Sequence, residues 1–492
     1  MGLAQAPVSL PLVYVAALPV LFWLHGQAEN AWSGFKIGWC AGLGYFAVVL
    51  FWIVEPFLVD IETHGWMAPI ALLSMVAGLA LFWGAAFALA AALRPEPMAR
   101  VFVLASAWAF MEIARAHVFT GFPWGLLAYG WIGTPVAQAL ALVGPHGLDF
   151  LTMAGGLSLG LLRWRPSVVA IALFCGLAAF GTWRLSQPVA PRTDGFTVRV
   201  VQPNATQDIK WDPVYTQIFY ERLLTLTAAV PEGGAAPDAV IWPETAVPFL
   251  LGERLDLQSE IATLAGPNTS VFLGIRRRET APELPTGQVW FNSLAVLLSE
   301  TGAAEHVYDK HHLVPFGEYI PYGNHLARWG WPWLTGLTGG GFEAGPGPQV
   351  LTPSGIPPFL PLICYEAIFT NLATRPGDRP DWFVQVTNDA WFGNISGPYQ
   401  HLAQAQARAI EYGIPLARSA NTGISAIIDP YGRIEVELAL GTAGYADAPL
   451  AAPLPPTLYS RLGNAPILFI SITVFLLTLS KVYSGLVRRR GQ

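Results

Sequence analysis

The stretch Phe359-Leu360-Pro361-Leu362-Ile363-Cys364-Tyr365-Glu366 decides how the middle of this chain is read. A short apolar run between turn signals reads as a buried strand. This one ends in a thiol followed by a carboxylate, and open α/β sheets gather their chemistry at the carboxyl ends of strands. Two other strand ends have the same character. Asp238-Ala239-Val240-Ile241-Trp242 runs into Pro243-Glu244, and His306-Val307-Tyr308 runs into Asp309-Lys310. A thiol with an ordinary pKa of about 8.5 is mostly protonated at neutral pH, so it needs a base or a cation nearby to act as a nucleophile. Glu244 could be that base. Lys310 could stabilise a thiolate and then the oxyanion of a tetrahedral intermediate, with the backbone N–H of Tyr365 as a second donor. Each residue alone has a plainer reading: a core cysteine, a capping glutamate, a solvated lysine. The ordered combination at three strand ends is what suggests covalent acyl chemistry.

The surrounding pattern is that of a soluble α/β domain. Strands are expected at 196–203, 238–242, 270–275, 291–298, 306–308, 359–364 and 382–386, with two more joined around Asn421-Thr422-Gly423 in 415–428. Helices are expected at 213–229, 254–265 and 399–412, and one beginning at Glu366. Strands alternating with helices, plus back-to-back strands, fit a four-layer α-β-β-α sandwich better than one doubly wound sheet.

The flanks differ. The chain has 492 residues, 53% hydrophobic and 12% charged, about half the usual charged share. Apolar runs at 9–24, 34–54, 67–93, 99–116, 146–163, 167–185 and 464–484 approach the length of roughly 20 residues that a bilayer demands. The first lacks a basic leader and is followed at once by others, so it does not read as a removable signal. Three regions are then expected: a helical membrane domain at 1–185, a catalytic domain at 186–463, and a final span with a basic tail at 464–492. Arg94, Arg100, Arg163, Arg165 and Arg488 to Arg490 fall on one side if the spans alternate, which makes that side cytoplasmic and puts 186–463 outside, in the periplasm. Cys40 and Cys175 lie in apolar runs, so Cys364 has no disulfide partner in its own domain. A net charge of −6 without a basic patch before the tail gives no reason to expect nucleic acid.

The words around the three residues are specific in combination. Trp242-Pro243-Glu244, Lys310 with Glu318 in Leu313-Val314-Pro315-Phe316-Gly317-Glu318-Tyr319, Cys364-Tyr365-Glu366, and Asn388-Asp389-Ala390-Trp391-Phe392 resemble the signatures of the nitrilase superfamily. With the apolar runs and the Thr120-Gly121-Phe122-Pro123-Trp124 loop, nearly the whole chain resembles that superfamily's membrane-integral branch, the apolipoprotein N-acyltransferase family. The resemblance implies a nitrilase-like sandwich fused to a polytopic helical domain, with Cys364 as nucleophile, Glu244 as base and Lys310 as oxyanion stabiliser. It implies support from Glu318, Tyr365 and Glu366, and substrate contacts at Trp211, Asn388 and Trp391. It implies ping-pong transfer from a phospholipid such as phosphatidylethanolamine to a diacylglyceryl apolipoprotein, with no cofactor. The family usually has eight spans, and seven runs are counted here.

A thioester must be shielded from water. The stretch 326–342, with Trp329, Trp331, Trp333 and a glycine run, suits an interfacial lid, the plainer alternative being a buried loop. Phe122 and Trp124 suit a lipid groove or a simple interfacial anchor. Glu112, Arg115 and His117 at one end of a span are either functional or at the water boundary. His311 and His312 lack the carboxylate–histidine spacing of a metal site, and no metal is expected. No heptad pattern appears, which favours a monomer. The rival readings are a membrane-tethered amidase acting on small soluble amides, and a transporter or scaffold carrying an inactive enzyme domain.

Overall fold

The computed structural model describes residues 1–231, 234–282, 287–299, 301–322, 341–370, 372 and 379–490. Trp329, Trp331 and Trp333 lie outside the described residues. The chain divides into two compact units, Val189–Asn394 with Ile414–Leu454, and Met1–Pro188 with Ile395–Gly413 and Pro455–Gln492.

The first of these is the α/β unit. Its strands are β1 (Thr197–Gln202), β2 (Ala239–Trp242), β3 (Ser270–Thr280), β4 (Gln288–Leu297), β5 (Ala304–Asp309), β6 (Phe359–Ile363), β7 (Trp382–Thr387), β8 (Leu416–Ala420), β9 (Ser425–Ile428), β10 (Ile434–Leu438) and β11 (Gly444–Pro449). They form two sheets, ordered β11-β1-β2-β3-β4-β5 and β10-β9-β8-β7-β6. Strands β1, β2 and β3 run parallel, and β3-β4-β5 is an antiparallel meander, so β2 and β5 point the same way. In the second sheet β6, β7 and β8 are parallel. The ends that carry Glu244 and Lys310 therefore share one edge of their sheet, and those that carry Cys364 and Asn388 share one edge of the other.

Side-chain alternation explains the layering. Val198, Val200, Ile241, Phe272, Leu294 and Tyr308 pack with Phe359, Ile363, Trp382, Val384 and Ala417 to form the core between the sheets. The opposite face of the larger sheet, with Val201, Val240, Trp242 and Leu273, packs on Tyr220 and Leu223 of helix Pro213–Ala228 and Ile261 of helix Leu255–Ala265. Arg199, buried on that face, pairs with Asp447 and donates to the carbonyls of Leu226, Thr227 and Ala229. It thus closes the carboxyl end of the first helix, where unpaired carbonyls favour a cation. The expected helix at Glu366 is a single 3-10 turn, Cys364–Ile368, ended by Phe369 in extended backbone.

The helical unit adds detail to three expectations. Among the described residues, Ile61–Leu93, Pro97–Arg115 and Trp164–Leu185 are long and apolar enough to cross a membrane, and Ala31–Val49 with Phe51–Leu58, bent by 48°, is a fourth if the pair is one broken span and not a re-entrant loop. Seven runs were counted in the sequence. Val13–Gly26 and Ala465–Lys481 are shorter apolar helices, and Leu140–Leu159 is broken at Gly144 and carries buried His146 and Asp149. Second, helix Gly397–Tyr412, expected in the catalytic domain, groups with this unit by its packing. Its Arg408 pairs with Glu411 and donates to the Tyr129 hydroxyl at 3.0 Å, and its Gln400 accepts the Trp124 indole N–H at 2.6 Å. Third, Trp124 is 1% exposed. An indole held by a buried hydrogen bond and tilted against Trp52 at 4.6 Å is interior packing, not a groove wall. Phe122 stacks on it at 6.2 Å. Arg115 is ion-paired with Glu112 and donates to the carbonyls of Phe122 and Trp124 at 2.5 and 2.8 Å. Glu112 and Arg115 are therefore a buried structural pair that pins this loop.

One glycine positions the site directly. A Cβ on Gly274 of β3 would stand 2.1 Å from the Pro243 carbonyl oxygen and 2.8 Å from the Glu244 Cα. These are backbone atoms that cannot step aside. We expect Gly274→Ala to cost about 1–3 kcal/mol, typical of overpacking, read as a lower thermal midpoint of the full-length protein, and to displace Glu244. An unchanged midpoint with unchanged activity would refute this close approach.

Candidate active site

Four strand ends build the site. Glu244 follows β2, Lys310 follows β5, Cys364 follows β6 and Asn388 follows β7. All are buried: Glu244 is 7% exposed, Lys310 1%, Cys364 5% and Asn388 4%.

Lys310 sits between two carboxylates. Its ammonium is 2.9 and 2.8 Å from the two oxygens of Glu318 and 3.6 Å from Glu244 Oε1. Burial alone would lower its pKa, but Glu318 and then Glu244 and Cys364 more than offset this and raise it. It is a permanent cation. Asn292 on β4, which sequence reasoning missed, ties the two acids together. Its amide donates to Glu244 Oε1 at 2.7 Å and to Glu318 Oε1 at 3.1 Å. Its backbone carbonyl accepts the Lys310 backbone N–H at 2.8 Å. A mid-strand asparagine carries no signal of its own; only the register of Arg276↔Asn292 beside β5 brings it here.

Glu244 is held from both sides, because its Oε2 accepts the Asn388 backbone N–H at 2.9 Å. The Asn388 side chain donates to Gln207 and accepts from Asn421, each at 2.9 Å. In this arrangement Asn388 positions the base. Glu366 is the other fastener. Its Oε1 accepts from the Tyr308 hydroxyl, and from the backbone N–H of His311 at 2.8 Å, while His311 Nδ1 lies at 2.6 Å. Its Oε2 accepts the Ile363 N–H at 2.7 Å. One carboxylate thus locks the segment after Lys310 to the residue before Cys364. Burial would raise its pKa, but the hydrogen bond and charge of His311 and these N–H donors lower it.

Cys364 itself has φ +50°, left-handed backbone that a residue with a Cβ rarely takes. Thr245 after Glu244, at φ +46°, and Phe316 in the loop leading to Glu318, at φ +63°, are the same. Strained backbone concentrates where side chains must be aimed. Burial first, and then the Glu244 charge, push the Cys364 thiol up, while Lys310 and a hydrogen bond with Thr387 pull it down without cancelling them. At rest the Cys364 side chain is a neutral thiol within the electrostatic reach of Glu244 and Lys310. Tyr365 is buried and packs edge-on to Phe369 at 5.2 Å. Trp211 and Trp391 are 41% and 39% exposed. Among the described residues no cluster of metal-binding type occurs. The arrangement sets a buried thiol in the electrostatic field of a buried carboxylate and a buried ammonium.

Two outcomes test this geometry. Asn292→Ala removes a hydrogen bond to each acid, worth about 1.5–3 kcal/mol where a charged group is involved, so N-acyltransferase turnover should slow about 10- to 100-fold in a steady-state assay. Alkylation of Cys364 by iodoacetamide depends on the thiolate. Because the thiol is raised, its rate should be slow at neutral pH and keep climbing through pH of about 9; a plateau near neutrality would show a resting thiolate.

Comparison with known proteins places the chain. Residues 1–158 match the family model for the apolipoprotein N-acyltransferase N-terminal domain, and residues 197–453 match that for carbon-nitrogen hydrolase. An apolipoprotein N-acyltransferase of Bradyrhizobium diazoefficiens is 40% identical, with 94% of this chain and 90% of the relative covered. That of Rhodopseudomonas palustris is 38% identical over 97% of this chain and 92% of the relative. Among solved structures, a mutant of the amidase from Nesterenkonia sp. AN1 is 18% identical, covering 55% of this chain and 98% of that one, with a TM-score of 0.35. The α/β unit is a nitrilase-like sandwich, and the apolar helices make the protein membrane-integral. The chain belongs to the apolipoprotein N-acyltransferase family.

Proposed function

We propose that this N-acyltransferase moves a fatty acyl chain from a membrane phospholipid to the α-amine of a diacylglyceryl-cysteine, the last step of lipoprotein maturation, through a thioester on Cys364. The observation that carries the reading is the Glu244–Lys310–Glu318 charge cluster beside a buried neutral thiol. As sulfur attacks the donor ester, Glu244 takes its proton. Lys310 and the Tyr365 N–H stabilise the oxyanion, each such donor being worth about 100- to 1,000-fold. The intermediate collapses, the lysophospholipid oxygen recovers the proton from Glu244, and the thioester remains. The acceptor amine, with a pKa near 8, then attacks. Glu244 takes one of its protons and returns it to the leaving sulfur.

The catalytic domain works in the periplasm and the helices sit in the inner membrane, as the arginine distribution of the connecting segments suggests. We take the working form to be a monomer. The relatives do not favour an amidase acting on small soluble amides.

Mass spectrometry of the Cys364 peptide tests the reading. After incubation of the full-length protein with phosphatidylethanolamine of labelled acyl chain, the peptide should gain the mass of that chain, and release one lysophospholipid for each thioester. Cys364→Ala should gain nothing. A wild-type protein that stays unmodified while hydrolysing soluble amides would overturn the proposal.

A further inference from the structure

Three consecutive arginines on β3 have unequal surroundings. Arg277 pairs with Asp309 at 2.5 Å and lies over the Phe291 ring at 4.0 Å. Arg278 pairs with Glu253 at 2.5 Å. Arg276 makes no ion pair among the described residues, and its Nε is buried without a hydrogen-bond partner. Its guanidinium carbon lies 5.0 Å from the centre of the Trp211 ring, and the Lys210 ammonium lies 5.0 Å from the same ring. Lys210 is 4% exposed and reaches one polar atom, Thr245 Oγ1 at 3.3 Å. Two cations thus lie within 5.0 Å of the centre of one half-exposed indole, and among the described residues neither is paired with a carboxylate.

The position matters as much as the charge. Residues two apart on a strand share a face, so Arg276 follows Gly274, which abuts the Glu244 backbone. Thr245, the contact of Lys210, is the next residue after Glu244. Burial, and the repulsion of Arg276 working against the attraction of Glu244, lower Lys210 to about 7. An anion seated between the two cations would relieve that repulsion. A forked guanidinium and an ammonium together suit a phosphate oxygen pair, and the open indole suits the glycerol carbons beside it.

We propose that Lys210 and Arg276, gathered on Trp211, form the subsite for the phosphodiester of the acyl donor and so set its ester carbonyl at Cys364. This rests on the phospholipid-donor reading above. In a glycerophospholipid the phosphodiester is a few bonds from each acyl carbonyl, which matches a subsite beginning one residue from the base.

The test uses the full-length protein in an uncharged detergent and follows acylation of Cys364 by mass spectrometry. One donor is phosphatidylethanolamine, the other p-nitrophenyl palmitate, which has no phosphate. Lys210→Met and Arg276→Gln should each lower the ratio of the two rates about tenfold or more, the scale of a lost charge-assisted hydrogen bond, and Arg276→Lys should recover part of it. An equal fall with both donors would overturn the proposal, since the cations would then act on Glu244. In a second arm, glycerophosphoethanolamine should slow acylation by the nitrophenyl ester in the wild type and not in Arg276→Gln. Inorganic phosphate slowing it as well as the diester would overturn the lipid source. Should the wild type take no acyl chain from phospholipid at all, the donor reading fails, yet protection by the diester still upholds the subsite and its absence refutes it.

Discussion

The buried ammonium of Lys310, set between Glu318 and Glu244, is the constraint on which the rest of the α/β unit depends. Three charges in a dry site are costly: desolvation removes several kcal/mol per ion, and only close geometry repays it. The geometry is close because Asn292 spans both acids and the Glu318 Oε2 also accepts the Val314 N–H at 2.7 Å. The cluster already carries one excess negative charge. A thiolate at Cys364 would add another in a buried place, and burial first, then the Glu244 charge, raise the thiol. On the proposed roles, charge separation waits until a substrate carbonyl can accept it and an oxyanion forms beside a cation already in place.

The second dependence is mechanical. Lys310 and Cys364 come from different sheets, and inter-sheet packing alone would leave room for side chains to slide. Glu366 removes that freedom by binding His311 and Ile363 with its two oxygens. Asn388 does the same for Glu244 through a backbone N–H, so the base is located by the end of β7 as well as by β2. The signatures that stand out in the sequence are thus partly chemistry and partly fasteners, and the fasteners tie each chemical residue to a neighbouring strand.

This explains what could be read beforehand. Strand ends carrying Glu244, Lys310 and Cys364 were legible because apolar strands flanked by turns are a local signal, and their relation to one another came from motif resemblance. Asn292, Lys210 and Arg276 were not legible. Their roles arise from sheet register and from which of three adjacent arginines lacks an acid, and neither is a local property. Strands β10 and β11, missed in the sequence, are half-exposed edge strands whose weak alternation of polar and apolar residues looks like loop. Helix Gly397–Tyr412 lies inside the carbon-nitrogen hydrolase match, yet its Gln400 and Arg408 meet Trp124 and Tyr129 far away in sequence, a grouping that no local pattern shows.

The same geometry bears on why such a thioester would wait for an amine instead of water. Both oxygens of Glu244 are engaged, Oε1 by Asn292 and Oε2 by Asn388, and the carboxylate is almost fully buried. Water is a poor nucleophile that needs a base well aligned with it throughout the attack. A primary amine with a pKa near 8 is partly neutral without help, and it needs the base only after the new bond has begun to form. A base held in place and largely occupied therefore handicaps hydrolysis more than aminolysis. On the proposed roles, the hydrogen bonds that appear merely to position Glu244 also contribute to the choice of nucleophile.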